Sequence, residues 1–239
     1  MALEYINRVR IGILTLPLAG FLYIIFLLLR GPLIDPLTDP EGFARAASAT
    51  TFPYGAYGMV VCWIALIFGF VALYAFLRNF RLEQLGFGGM VLSILGVGLF
   101  LPLLGIIAAI FPETGMEYLR GEEMVIVIVS SGLTQNMTIF GMFTLSILLH
   151  SVGSILFAIG IVRCSRLPTW AGFLYATQAP LLHFGPKFIL EFIGAGLLLV
   201  TGLAITRGVW QHISAIERFQ RPSEEQPELP AEEGEKAET

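Results

Sequence analysis

Three ionisable side chains, His150, His183 and Glu191, fall inside long apolar stretches, where polar groups are costly and function concentrates. Two imidazoles and a carboxylate form a ligand set for a divalent metal such as zinc. The two histidines alone, on facing helices, can supply axial ligands to a haem. A histidine beside a glutamate can instead relay protons, because imidazole titrates near neutral pH. His150 and His183 are therefore the candidate cofactor-binding residues, and Glu191 completes the candidate metal set.

Depth along the chain supports the grouping. Helical rise places His150 roughly 20 Å from Arg163, His183 roughly 21 Å from Thr169 and Glu191 roughly 24 Å from Arg207. The three thus reach one level on consecutive segments, and segments joined by short turns usually pack side by side. His150 also belongs to a stripe at four-residue spacing, Thr138, Met142, Ser146, His150, Ser154 and Ala158, which reads as a packing face. Lys187 stands one turn before Glu191 and can pair with it, which would remove the carboxylate from the cluster. Gln178 lies about 140° around its helix from His183 and is expected to bond a neighbouring helix.

The segments that position these residues are membrane spans. The chain of 239 residues is 56% hydrophobic and 13% charged, against roughly 25% charged in soluble proteins. Its mean hydropathy is +0.78. Crossing a hydrocarbon core takes roughly 20 apolar residues. Ile11 to Leu29, Tyr57 to Leu77, Met90 to Phe111, Ile139 to Val162 and Phe188 to Thr206 have that length, and Thr169 to Gly185 is a shorter sixth. The expected fold is all-α, a polytopic membrane helix bundle with six transmembrane helices. Residues 1–10 form a short N-terminal segment, 11–207 the bundle, and 208–239 an acidic, largely disordered tail rich in glutamate and proline.

Proline and glycine punctuate the spans. Gly31-Pro32 and Asp39-Pro40 bound a long loop, Pro112 is expected to end the third span, and Pro17, Pro102 and Pro180 predict kinks. Residues Glu113 to Asn136 form an outer connection whose apolar run, Met124 to Val129, is too short to span. It can lie in the interface, dip into the bilayer or extend the fourth helix. Gly98, Pro102, Gly105 and Ala109 make a small-residue stripe on the third span, which allows close helix approach within the chain or with another subunit. On the sixth, Gly194, Ala195, Leu198, Thr201 and Gly202 continue the Glu191 face. Trp63, Trp170 and Trp210, with Tyr57 and Tyr175, are read as including interface anchors.

Ten of the 14 Lys and Arg residues fall on one side of this six-span scheme. That bias puts both termini in the cytoplasm. The first span ends at Arg30 without a small-residue cleavage site, so it reads as an uncleaved anchor and not a signal peptide.

Several function classes are excluded. Net charge of −4 and pI near 5.4, with no basic cluster, argue against a nucleic-acid partner. Cys62 and Cys164 differ too much in depth to form a disulfide. No phosphate loop, H-E-x-x-H pair or G-x-S-x-G elbow is present, so no catalytic residue is assigned and an enzyme is not expected. The partners expected are the lipid bilayer and either membrane-protein subunits or further copies of the chain. On this reading the protein is an accessory or scaffold subunit acting through helix packing. A haem, metal or proton-relay site at His150, His183 and Glu191 is the competing view.

The stretch Gly153 to Gly172 (GSILFAIGIVRCSRLPTWAG) resembles a segment of uncharacterised bacterial six-helix integral membrane proteins. There a glycine-rich span ends in arginine and serine, and Leu-Pro, an aromatic residue and a glycine open the next. The resemblance implies a bacterial plasma membrane and supplies no catalytic residues.

Overall fold

The computed structural model describes residues 2–134, 136–183 and 188–220. All regular structure among them is helical: α1 (Ala2–Arg30), α2 (Pro40–Ala47), α3 (Phe52–Arg78), α4 (Glu83–Leu119), α5 (Met124–Thr134), α6 (Met137–Arg163), α7 (Thr169–Leu182) and α8 (Phe188–Gln220). In hydrocarbon every backbone N–H and C=O must find a partner within its own segment, and a helix achieves that. Among the described residues, α1, α3, α4, α6 and α8 are long and apolar enough to cross a membrane. The sixth segment, α7, has 14 residues. That is about 21 Å of helix, less than the ~30 Å hydrocarbon thickness.

The six longer helices close into a ring in chain order. Helix α1 packs on α3, α3 on α4, α4 on α6, α6 on α7, α7 on α8, and α8 returns to α1. The protein is an all-α membrane helix bundle. Its outward faces carry large apolar side chains such as Ile11, Phe68, Phe173 and Ile189. Its interior is aromatic and polar, with Tyr23, Trp63, Phe70, Phe157 and Tyr175 fully buried.

Close approach of α4 and α6 depends on glycine. A Cβ at Gly96 would lie 2.6 Å from the His150 backbone nitrogen and 2.8 Å from the Ser146 carbonyl oxygen. With no side chain there, the Ser146 hydroxyl donates across the seam to the Gly96 carbonyl at 2.8 Å. The four-residue stripe on α6 is therefore a packing face along Ser146, His150, Ser154 and Ala158, all buried, whereas Thr138 is exposed. The expected stripe on α4 is different. Gly98 and Gly105 meet nothing within 4 Å, and Pro102 and Ala109 are exposed. That face points out of the bundle, because Ser93, Gly96, Phe100 and Leu103 occupy the inner side.

Three boundaries differ from those expected. Pro112 does not end its helix, and α4 runs on to Leu119. Tertiary packing offsets the lost backbone bond: Phe111 sits edge-on against Phe43 at 5.0 Å and stacks near Phe52 at 6.5 Å. Second, the long loop after α1 contains α2, started by Asp39, whose carboxylate accepts from the Gly42 N–H, and by Pro40 at the first turn. Helix α2 packs on α3 and α4, and α5 on α4 and α6, outside the ring. Third, α8 passes Arg207 and reaches Gln220. Arg10 holds this extension through Glu217 at 2.9 Å and Ser214 at 3.0 Å, and Val209 and Ile213 are buried. The remainder of the predicted tail lies outside the described residues.

The outer run from Met124 is a separate helix, α5. It buries Ile126 and leaves Met124, Val127 and Ile128 exposed. Asn136 caps α6 by accepting from the Thr138 and Ile139 N–H groups, so the two helices are distinct. Cys62 and Cys164 are free and buried thiols. Burial pushes the Cys164 thiol up, partly opposed by the Arg166 and Leu167 backbone N–H groups.

Replacing Gly96 with leucine should destabilise the bundle by about 1–3 kcal/mol through overpacking against backbone. Gly98→Leu, two residues away on the outer face, should change stability by less than about 0.5 kcal/mol. Thermal unfolding of both variants in mild detergent checks the contrast.

Candidate functional site

The centre of the ring is built by side chains from every wall. His150 comes from the middle of α6, where the glycine-lined seam with α4 holds its backbone. His183 caps the C-terminus of α7, and its backbone N–H reaches the Pro180 carbonyl at 3.2 Å. Pro180 has no N–H to give, and α7 stops two residues later. The two imidazoles meet with ring centroids 5.2 Å apart and planes inclined at 62°. Two of the three residues singled out by depth are thus direct neighbours.

Aromatic rings enclose the pair. Trp63 of α3 lies 5.3 Å from His150 and 5.0 Å from His183. Phe100 of α4 lies 4.7 Å from His183, and Phe70 of α3 lies 5.7 Å from His150. Tyr23 of α1 meets Trp63 edge-on at 6.1 Å, and its hydroxyl donates to the Leu182 carbonyl at 3.3 Å. Trp63 and Tyr175 are therefore core residues and not interface anchors, whereas Trp170, Trp210 and Tyr57 are about half exposed.

Glu191 takes a different role. Its carboxylate receives the Arg30 guanidinium at 2.5 Å, and both side chains are almost fully buried, at 4% and 2% exposure. The Arg30 Nε also donates to the Gly31 carbonyl at 3.2 Å. Lys187, the expected partner, lies outside the described residues. Arg30 was visible in the sequence only as a span end; the useful signal was that α1 finishes at the level where the last span begins.

Hydrogen bonding at the centre is incomplete. His183 Nδ1 is 2.8 Å from the Ala179 carbonyl oxygen. His183 Nε2, both ring nitrogens of His150, the Tyr175 hydroxyl and both amide atoms of Gln178 are buried with no partner among the described residues. The Ser93 and Ser154 hydroxyls are in the same position. Gln178 thus does not make the interhelical bond expected of it. A buried donor or acceptor left without a partner costs about 1–3 kcal/mol, so this concentration is expensive for a core that only packs.

The geometry constrains the cofactors considered from sequence. No group of three His, Cys, Asp or Glu side chains that could hold a metal ion occurs among the described residues. The carboxylate is engaged by Arg30, which leaves two imidazoles, fewer donors than the four usual for zinc. Nor is a porphyrin plane accommodated between rings 5.2 Å apart that are flanked by Trp63, Phe70 and Phe100.

No family model matches the chain. No curated protein and no solved structure matches it either. The site must therefore be read from its own chemistry. Its imidazole nitrogens without partners can accept or donate hydrogen bonds.

Glu191→Gln should strand the Arg30 charge and cost roughly 3–5 kcal/mol. The double variant Arg30→Met, Glu191→Leu should recover most of that loss, because a well-packed apolar pair replaces the ions. Denaturant unfolding in detergent micelles measures both.

Proposed function

We propose that this is a multi-pass integral membrane protein whose activity resides at the His150–His183 centre, a buried polar site that handles protons within the bilayer. The observation that carries the reading is the pair of adjoining imidazoles whose nitrogens, apart from His183 Nδ1, are buried without partners among the described residues. Intramembrane ionisable groups commonly mark proton or solute paths, and each imidazole nitrogen can hold or release a proton. Ser146 and Ser154, one turn to either side of His150 on α6, are buried hydroxyls on the same helix face. The arginine bias supports a plasma membrane orientation with both termini cytoplasmic, and the 153–172 resemblance supports a bacterial membrane.

A second reading, an accessory or scaffold subunit, rests on a separate observation. The exposed α4 stripe of Gly98, Pro102, Gly105 and Ala109 is open to approach by another helix. A cysteine introduced at Gly105 should then cross-link to a partner subunit or a second copy in native membranes. A monomeric band alone counts against it.

The proton reading is tested in liposomes containing a pH-sensitive dye, with a potassium diffusion potential imposed by valinomycin. Wild-type protein should acidify or alkalinise the lumen faster than empty liposomes, and His150→Leu should abolish the difference. The same variant should leave stability unchanged or raise it by about 1 kcal/mol, since it removes a polar group that lacks partners. Equal flux in wild type, variant and empty liposomes, or a large loss of stability in His150→Leu, overturns the reading.

A further inference from the structure

A second site lies at the arginine-bearing end of the bundle, far along α8 from the histidine pair. The segment between α6 and α7 folds back against α8 and leaves a groove of about 610 Å³. Arg166 and Trp170 line it from the α6–α7 side, and Arg207, Gln211, Val200 and Leu203 line it from α8. Gly208 makes the approach feasible. A Cβ there would meet the Arg166 carbonyl oxygen at 3.0 Å and the Leu167 side chain at 2.9 Å.

Charge and polarity change in a fixed order along this groove. Neither Arg166 nor Arg207 forms an ion pair among the described residues, and both are exposed. One turn below Arg207, Leu203 is 55% exposed, and Val200 below it is 48% exposed. Trp170, half exposed, has the amphipathic character that favours the headgroup level. Two guanidiniums match the phosphate of a headgroup, with five N–H donors each and no carboxylate to displace among the described residues. The exposed leucine and valine match the acyl chain that follows a phosphate in a phospholipid. A free phosphate would use the arginines and leave the apolar wall uncovered.

We propose that this groove binds one anionic phospholipid, the phosphate between Arg166 and Arg207 and an acyl chain along Val200 and Leu203. The inference is independent of the histidine centre. Glutamine at both arginine positions keeps polarity and length at exposed sites, so the bundle should fold unchanged.

The full chain, purified in mild detergent, is mixed with phosphatidylglycerol or phosphatidylcholine and examined by native mass spectrometry. Wild type should retain one phosphatidylglycerol and much less phosphatidylcholine. The Arg166→Gln, Arg207→Gln double variant should bind phosphatidylglycerol roughly thirtyfold more weakly, as expected for loss of two juxtamembrane charges. Phosphatidylglycerol should also raise the melting temperature of wild type and not that of the variant. Inorganic phosphate at millimolar concentration should leave the lipid adduct in place. Equal retention of the two lipids, or an unaltered adduct in the double variant, overturns the proposal. Displacement by inorganic phosphate assigns the arginines to a free anion and overturns it too. A wild type that holds no phosphatidylglycerol also overturns it, in favour of another occupant such as the glutamate-rich end of the chain.

Discussion

An arginine and a glutamate withdrawn from water together are tolerable only while each remains the other's partner, and Arg30 and Glu191 are held in that relation. Their separation in sequence is nearly the length of the bundle. The pair joins the end of α1 to the start of α8, the seam that turns a row of helices into a ring. At the opposite end of the same seam, Arg10 grips Glu217 and Ser214. Between them the Thr206 hydroxyl donates to the Ile13 carbonyl at 3.3 Å. The rest of the architecture follows from this closure, because only a closed ring has an inside in which Trp63, His150 and His183 can meet.

Much of the fold was legible in the sequence because hydrocarbon permits few solutions. Long apolar runs had to be helices, and short connections made consecutive helices neighbours. Depth arithmetic correctly placed His150 beside His183, since helical rise is almost invariant. It failed to choose a partner for Glu191, because level alone does not tell which helix stands next to α8. That partner came from α1, the far end of the chain, where ring closure and not sequence adjacency decides. Which of the tryptophans anchor an interface stayed open, because tryptophan suits both interfaces and cores; Trp63 is the core one. The α4 stripe was open to use within the chain or by another subunit, and the bundle leaves it unused. Small residues permit close approach without requiring it, and α4 carries two such faces, of which only the one through Gly96 is used within the bundle. The continuation of α4 past Pro112 and of α8 past Arg207 was missed because neighbours, Phe43 in one case and Arg10 in the other, supply what local signals lack.

The radial order of the bundle inverts that of a soluble protein. Aliphatic side chains face outward, and the polar groups that remain unpaired gather inside with aromatic rings around them. In lipid the outer arrangement is simply solvation. The inner one is not forced by solvation at all, since leucine or phenylalanine would fill the same volume without needing partners. Selection for stability alone would not maintain two imidazoles, an amide and several hydroxyls there.

Helix α7 gives the centre an electrical polarity. Because it stops at Leu182, its final carbonyl oxygens terminate beside His183, whose Nδ1 lies 2.8 Å from the Ala179 carbonyl oxygen. Peptide dipoles add along a helix, and the negative pole falls at that C-terminus. A cation or proton arriving at the histidine pair is drawn by this field, whereas an anion is repelled by it. The end of the short helix thus favours positive charge beside His183 through its backbone alone, independent of any acidic side chain.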